Sequence, residues 1–280
     1  MRDIKTEDII RAVKDACIKA NTIIGQDVLD AFKRALQQEE SPTGKEIICQ
    51  LQENARIAKD EQVPMCQDTG FAVVFVELGQ DAHIVGGNLN DAINEGVRQG
   101  YKAGYLRKSI VGDPLTRKNT GDNTPAMIHA EVVPGDQLKI TIAPKGGGSE
   151  NMSSVKMLAP SAGIEGIKKF VLDWVKQAGS NPCPPIVVGV GIGGTFEGVA
   201  MLAKKALLRP IGSRNPDKFY ADLEEELLRK INDSGIGPQG LGGRVTALDV
   251  HVETFPCHIA SLPSAVNINC HAARHETVVL

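Results

Sequence analysis

The stretch PPIVVGVGIGGTFEGVAML, residues 184–202, decides how the chain is read. Ile186 to Ile192 is an apolar run of strand length, a glycine turn follows, and the segment from Thr195 onward has helical spacing. Gly189, Gly191 and Gly194 satisfy G-x-G-x-x-G, which points first to a dinucleotide site. Such a site expects an acidic residue at the end of the next strand, about 20 residues on, to hold a ribose. Here that region is ALLRPIGSRNPDKF (206–219), a loop with two arginines and no strand before it. The fingerprint also lies two thirds along the chain. A NAD-dependent dehydrogenase is therefore kept only as an alternative. The other feature of the stretch is Cys183, boxed in by Pro182, Pro184 and Pro185.

Working outward, three helices open the chain. Their apolar stripes are Ile9, Ile10, Val13 and Cys17, then Val28, Ala31, Phe32 and Leu36, then Ile48, Leu51, Ala55 and Ala58. Ser41-Pro42 starts the third. A strand over 71–78 and a helix near 89–106 follow. AMIHAEVVPGDQLKITIAP (126–144) reads as a hairpin around its Pro-Gly turn. IEGIKKFVLDWVKQA is a helix leading into the quoted strand, and two more helices run to about residue 233. SGIGPQGLGG (234–243) then precedes strands around 245–254 and 264–269. The expected fold is α/β, of the mixed α+β kind: a helical N-terminal region to about residue 60, then a mixed sheet with flanking helices. No repeat or linker interrupts it, so one domain over 1–280 is expected.

The chain has 31 basic and 34 acidic residues, a net charge of −3. That balance, without a Lys/Arg cluster, argues against a nucleic-acid surface or a polybasic membrane anchor. No apolar run approaches a membrane span. MRDIKTEDIIRAVKDAC (1–17) reads as a charged amphipathic helix and lacks the apolar centre of a signal peptide, so a cytoplasmic location is expected.

Six cysteines stand at 17, 49, 66, 183, 257 and 270. In a reducing compartment each is a core filler, a nucleophile or a metal ligand. Cys17 and Cys49 fall among apolar helix residues and read as small hydrophobes. Cys66, in VPMCQDTGFAV, and Cys183, in SNPCPPIVV, both lie in turns just before strands. Cys257 and Cys270 lie in ETFPCHIASLPSAVNINCHAARH. Rigid turns suit thiolate ligands, and three thiolates fit an iron–sulfur cluster with one iron left open better than a closed zinc site, which takes four. Inert turn cysteines remain the plain alternative.

CQDTG (66–70), KGGGSENMS (145–153), NPCPPIVVGVGIGGT (181–195), RPIGSR (209–214), GIGPQGLGG (235–243) and NINCHAARH (267–275) together resemble the α subunit of class I, iron–sulfur fumarate hydratase, related to L-tartrate dehydratase. The resemblance implies a [4Fe–4S] cluster on Cys66, Cys183 and Cys270, whose open iron acts as a Lewis acid in the reversible hydration of fumarate to L-malate, a tricarboxylic acid cycle step. It makes Asp68 and His258 an acid pair, with the histidine behind the aspartate. Gln67, Arg107 and Gly148 match substrate-binding positions. Cys257 is left over as structural, with a swap of ligand roles with Cys270 as the alternative. The base that takes the C3 proton has no match here, which implies a β subunit and a hetero-oligomer with half an active site on each chain. An L-tartrate dehydratase α subunit is the alternative within the family.

Without the resemblance, Asp68 reads as a turn-capping residue, Arg107 as a solvated arginine and Gly146–Gly148 as a loop or an anion-binding nest. Arg209 and Arg214 bind an anion or meet a partner. On ALDVHVETF, alternation puts Asp249, His251 and Glu253 on one strand face, expected to be polar and solvated or part of an interface.

Overall fold

The structure is a computed structural model and describes residues 2–280. In chain order the elements begin with β1 (Arg2–Lys5), α1 (Thr6–Thr22), α2 (Gln26–Gln38), α3 (Pro42–Glu61), β2 (Phe71–Gly79), β3 (Ala82–Val85) and α4 (Leu89–Ala103). They continue with β4 (Met127–Val133), β5 (Leu138–Lys145), the short α5 (Gly147–Glu150), β6 (Ser154–Leu158), α6 (Gly163–Ala178) and β7 (Ile186–Gly193). The last are α7 (Phe196–Ala206), α8 (Lys218–Asn232), β8 (Ala247–Phe255), β9 (Leu262–Asn269) and β10 (Glu276–Val279). The mixed α/β class is as expected. The chain forms two units, each assembled from separated stretches. One takes residues up to Gly25, Asn54–Gly147 and Arg274–Leu280; the other takes Gln26–Glu53 and Gly148–Ala273.

In the first unit, a four-stranded sheet runs β10-β5-β2-β4. β2 lies antiparallel to β5 and parallel to β4. The hairpin expected over 126–144 is therefore overturned: both strands form, but β2 sits between them. The reason is burial. Ala72, Val74 and Val76 of β2 are all at most 1% exposed, so β2 takes the central place, whereas β4 has mostly open positions and becomes the edge. The first residues also depart from a continuous helix, because Arg2–Lys5 pair in parallel with β3. Ile9, Val13 and Cys17 of α1 meet Ile93, Val97 and Tyr101 of α4 in the core. A Cβ on Gly96 would lie 2.6 Å from Val13 Cβ, and one on Gly100 2.8 Å from Cys17 Cβ, so the glycines let the helices touch. Cys17 is a core filler as expected, its thiol pushed up to about 12 by burial.

In the second unit, the sheet runs β6-β9-β7-β8, with β7 parallel to β8 and antiparallel to β9. Its two faces explain the quoted glycines. Ile186, Val188, Val190 and Ile192 point into the main core with Val171, Leu223 and Leu227. The alternate positions, Gly189 and Gly191, lie beneath α7. Added Cβ atoms there would stand 2.1 Å from Ala203 O and 2.3 Å from Val199 O. These glycines serve helix-on-strand packing. In the turn, the Gly194 N–H is used by Phe255 O at 3.2 Å.

The same two-residue period puts His251 and Glu253 opposite Gly189 and Gly191, and Asp249 opposite Val187; Asp249 and His251 are 1% and 0% exposed, and Glu253 is half-buried. The alternation is as read, but only Glu253 stays partly open; at Asp249 and His251 the face is buried and not solvated. The reason is that RPIGSR covers it: Arg214 Nη1 donates to Asp249 Oδ1 at 2.7 Å, and Gly212 N–H to Asp249 Oδ2 at 2.6 Å. Arg209 Nη1 donates to buried Glu224 at 2.6 Å, and Glu224 accepts the Val252 N–H at the open edge of β8. Both arginines neutralise carboxylates of their own unit.

Candidate functional site

CQDTG enters β2 as a loop pinned by its carbonyls. Buried Tyr101 donates its hydroxyl to Thr69 O at 2.8 Å and Gly70 O at 3.0 Å, and Asn123 Nδ2 donates to Gly70 O at 3.2 Å. Arg274 Nη2 donates to Asp68 O at 2.7 Å. Gly70 has φ +80°, and a Cβ there would lie 2.7 Å from Lys145 N, so the turn into the strand requires glycine.

Within that loop the Asp68 N–H donates to Cys66 Sγ at 3.4 Å, and the Cys66 thiol points to Gln67 Oε1 at 3.4 Å. Hydrogen bonds to sulfur are the kind of contact that tunes an iron–sulfur site. Asp68 Oδ1 accepts from Gly70 N at 3.1 Å, the turn-capping bond expected of it, and Oδ2 accepts from Gly147 N at 2.7 Å. A side chain on Gly146 would come within 3.2 Å of Asp68 Oδ2. The glycine run thus serves Asp68. Arg107 lies exposed nearby in the chain path, its carbonyl accepting from the Thr69 hydroxyl at 3.0 Å. Gln67 is exposed too.

In the second unit, Cys183 directly precedes β7 and Cys270 directly follows β9. Because the strands are antiparallel, with Val187 opposite Asn269, both thiols arrive at one end of the sheet. The His271 N–H donates to Cys183 O at 3.3 Å and ties the two loops together. Cys183 is exposed with φ +55°, and Cys270 is half-buried; neither forms a disulfide. Gly148 stands beside the same loop: a Cβ there would meet Asn181 O at 3.5 Å, an ordinary contact.

His258 does not join them. It lies exposed in the turn between β8 and β9, its Nδ1 accepting from Ala260 N–H at 3.1 Å. His258 and Cys270 flank opposite ends of β9, an eight-residue strand roughly 27 Å long at about 3.4 Å per residue. Cys257 shares the His258 turn and donates to Ser261 O at 3.4 Å. Cys49 is exposed, contrary to its reading as a packed helix residue, because it falls off the stripe that buries Ile48.

Among the described residues, no three His, Cys, Asp or Glu side chains are grouped to hold one metal ion. A cluster distributes its thiolates over different irons, so its ligands stand farther apart than the donors of a single ion. The donor set itself fits a cluster: turn thiols outside any disulfide, two brought to one sheet end and the third receiving an N–H.

Sequence reasoning missed Gln239 and Glu39. Gln239 donates from both its backbone N and its Nε2 to Pro184 O, at 2.8 and 2.7 Å. Glu39, 1% exposed, accepts backbone N–H groups from Glu40, Ser41, Arg244 and Val245. Burial alone would raise its pKa, but the N–H groups of Val245, Arg244, Ser41 and Glu40 outweigh it and hold the carboxyl below the ordinary range. The only sequence signal was the glycine-rich GIGPQGLGG, which marked a constrained loop without naming its partners.

Residues 10–279 match a sequence-family model described as fumarate hydratase (Fumerase). The chain is 47% identical over 264 residues to a putative L(+)-tartrate dehydratase subunit alpha of Methanocaldococcus jannaschii, covering 91% of this chain and 92% of that protein. It is 36% identical over 263 residues to the L(+)-tartrate dehydratase subunit alpha of Escherichia coli K12, covering 93% and 86%. With nearly its whole length matched, the chain belongs to the fumarate hydratase family of hydro-lyases.

Proposed function

We propose that this chain is the α subunit of an iron–sulfur hydro-lyase that interconverts fumarate and L-malate. Cys66, Cys183 and Cys270 hold a [4Fe–4S] cluster, and a β subunit completes the site. The observation that carries the reading is the meeting of the Cys183 and Cys270 loops at one end of the β7–β9 pair, joined by the His271 N–H. When bound, the cluster supplies a Lewis acid that makes a substrate hydroxyl a better leaving group.

The chain's own groups do the rest. Asp68 exchanges a proton with that hydroxyl through a carboxyl oxygen; each oxygen keeps a lone pair beyond the N–H it accepts. Gln67, Arg107 and the Gly148 amide offer donors to the substrate carboxylates. The opposing base comes from the β subunit, since no motif of this sequence matches one. With β9 separating His258 from Cys270, His258 supports the Asp68 of a second copy of the chain. Co-expressing a Cys183→Ser chain with a His258→Asn chain tests this: mixed oligomers regain turnover that neither variant has alone.

L-tartrate is the second reading, favoured by the names of the relatives. Anaerobic reconstitution with iron and sulfide, with and without a β subunit, followed by assays on malate and tartrate, separates the two. Malate turnover exceeding tartrate turnover supports the first reading, and the reverse overturns it. Full activity of the chain alone overturns the two-subunit site. A complex that takes up no iron and shows no visible cluster absorption overturns both. No helix among the described residues is long and apolar enough to cross a membrane. A cytoplasmic location is a separate part of the proposal.

A further inference from the structure

The loop after α8, GIGPQGLGG, touches neither catalytic group, yet it is among the most constrained parts of the second unit. Gly237 has φ +70°, and a Cβ there would lie 2.2 Å from Gly242 C. A Cβ on Gly240 would lie 2.3 Å from Ser180 Cβ, three residues before Cys183. Glu39 fixes the loop's far end through Arg244 and Val245. At the tip is Gln239, held at φ +52°, a left-handed conformation that costs a residue with a Cβ and favours glycine.

The tip reaches both thiol loops. Pro184 O, the carbonyl following Cys183, accepts the Gln239 backbone N–H and its Nε2–H together. Gln239 Nε2 also lies 3.3 Å from Nδ1 of His271, the residue following Cys270. With Nδ1 as the acceptor of that bond, it is the His271 backbone N–H, donating to Cys183 O at 3.3 Å, that carries the link on to the other loop. One amide side chain therefore bridges the neighbours of both cysteines. Cys183 is itself left-handed, at φ +55°. Two strained residues bonded into one junction indicate a geometry imposed by something other than local backbone preference.

We propose that Gln239 is a positioning residue that clamps the Cys183 and Cys270 loops at the spacing a cluster requires. The proposal rests on the cluster assignment above. Gln239 touches no substrate; it acts on the two thiolates through Pro184 O and His271. Partners one shell out from metal ligands set affinity by about 10–100-fold.

Two variants separate positioning from plain stability. Gln239→Glu keeps the shape but replaces the donor with a second acceptor facing Pro184 O. Gln239→Gly deletes the clamp, keeps the backbone N–H and removes the left-handed strain. Both are made in the α–β complex, reconstituted anaerobically. The readouts are iron and sulfide per chain, the rate of iron release to a chelator, and the melting temperature of the cluster-free protein. The expected result is iron release faster by about 10-fold or more in both variants, with the cluster-free melting temperature of Gln239→Gly equal to or above that of the parent. Wild-type release rates in Gln239→Gly overturn the proposal. So does faster release that merely tracks a lower cluster-free melting temperature. If Gln239→Glu does not fold, Gln239→Gly decides. If the parent itself holds no cluster, the functional reading fails first, and the two failures are told apart by the parent's iron content.

Discussion

The two units hold their cysteine turns by different means. In the first, Cys66 sits in a loop whose carbonyls are gripped by side chains remote in sequence: Tyr101, Asn123 and Arg274. In the second, Cys183 and Cys270 lie just outside adjoining ends of neighbouring antiparallel strands, so sheet register brings their loops together before any side chain does. Gln239 refines that placement. Register is fixed by burial on both faces of β7 and resists single changes outside the strands. A loop hung from side-chain donors fails one bond at a time.

The largest test of this contrast is removal of the thiols. Cys66→Ser, Cys183→Ser and Cys270→Ser should each abolish hydration and leave less than a full cluster, whereas Cys257→Ser, whose turn lies at the other end of β9, should retain both. Iron analysis and an anaerobic hydration assay check it. Next comes Asp68→Asn, which keeps the size of the side chain but not its acidity. Turnover should fall by about 10²–10⁴-fold with the iron content unchanged. Loss of iron as well would mean that Asp68 organises its loop more than it moves protons.

Register can be attacked directly. Gly191→Ala places a methyl 2.3 Å from Val199 O and should cost about 1–3 kcal/mol by overpacking α7 against β7, read by denaturant titration. The matching attack on the first unit, Tyr101→Phe, removes the donor to Thr69 O and Gly70 O and should cost about 1–2 kcal/mol. The comparison predicts that the first lowers global stability and cluster content together. The second should speed iron loss more than its stability cost explains.

The smallest effect concerns pH. Burial, the leading cause, lowers the His251 pKa, and Arg209 and Arg214 add to the fall against Asp249 and Glu224. A folded value below the unfolded one means stability that is complete above the ordinary histidine value of about 6.5 and is lost as pH falls through that value toward the folded one. Glu39, also depressed, acts in the same sense at lower pH: its contribution is present above the ordinary carboxylate value and disappears as pH falls through its folded value. His251→Leu should flatten the fall in stability just below neutrality and leave the lower limb, which Glu39→Gln should flatten in turn. Thermal melts across pH distinguish the two.

The strand and helix periods were legible because each face of a strand or helix answers to burial at a fixed interval, and β2, β7, α1 and α4 carry that signal without interruption. The glycine fingerprint was legible as a constraint but not as a purpose, since a pyrophosphate and a helix backbone demand the same missing Cβ. The false hairpin over 126–144 arose because a Pro-Gly turn specifies a local reversal, while which strand lies between its arms depends on the burial of β2, contributed from elsewhere. Asp249 and His251 were assigned to the right face and the wrong environment, because the arginines that cover them lie some 40 residues away in sequence.

By itself the sequence determined the alternation of the elements, the mixed α/β class and the turn setting of Cys66, Cys183 and Cys270. Those follow from short-range rules that neighbouring residues obey together. Only the tertiary structure decided that Cys183 and Cys270 share an end of one sheet, that His258 stands at the other, and that Gln239 joins the two thiol turns. Those facts depend on strand order and on hydrogen bonds between residues tens of positions apart, which packing selects and no local pattern encodes.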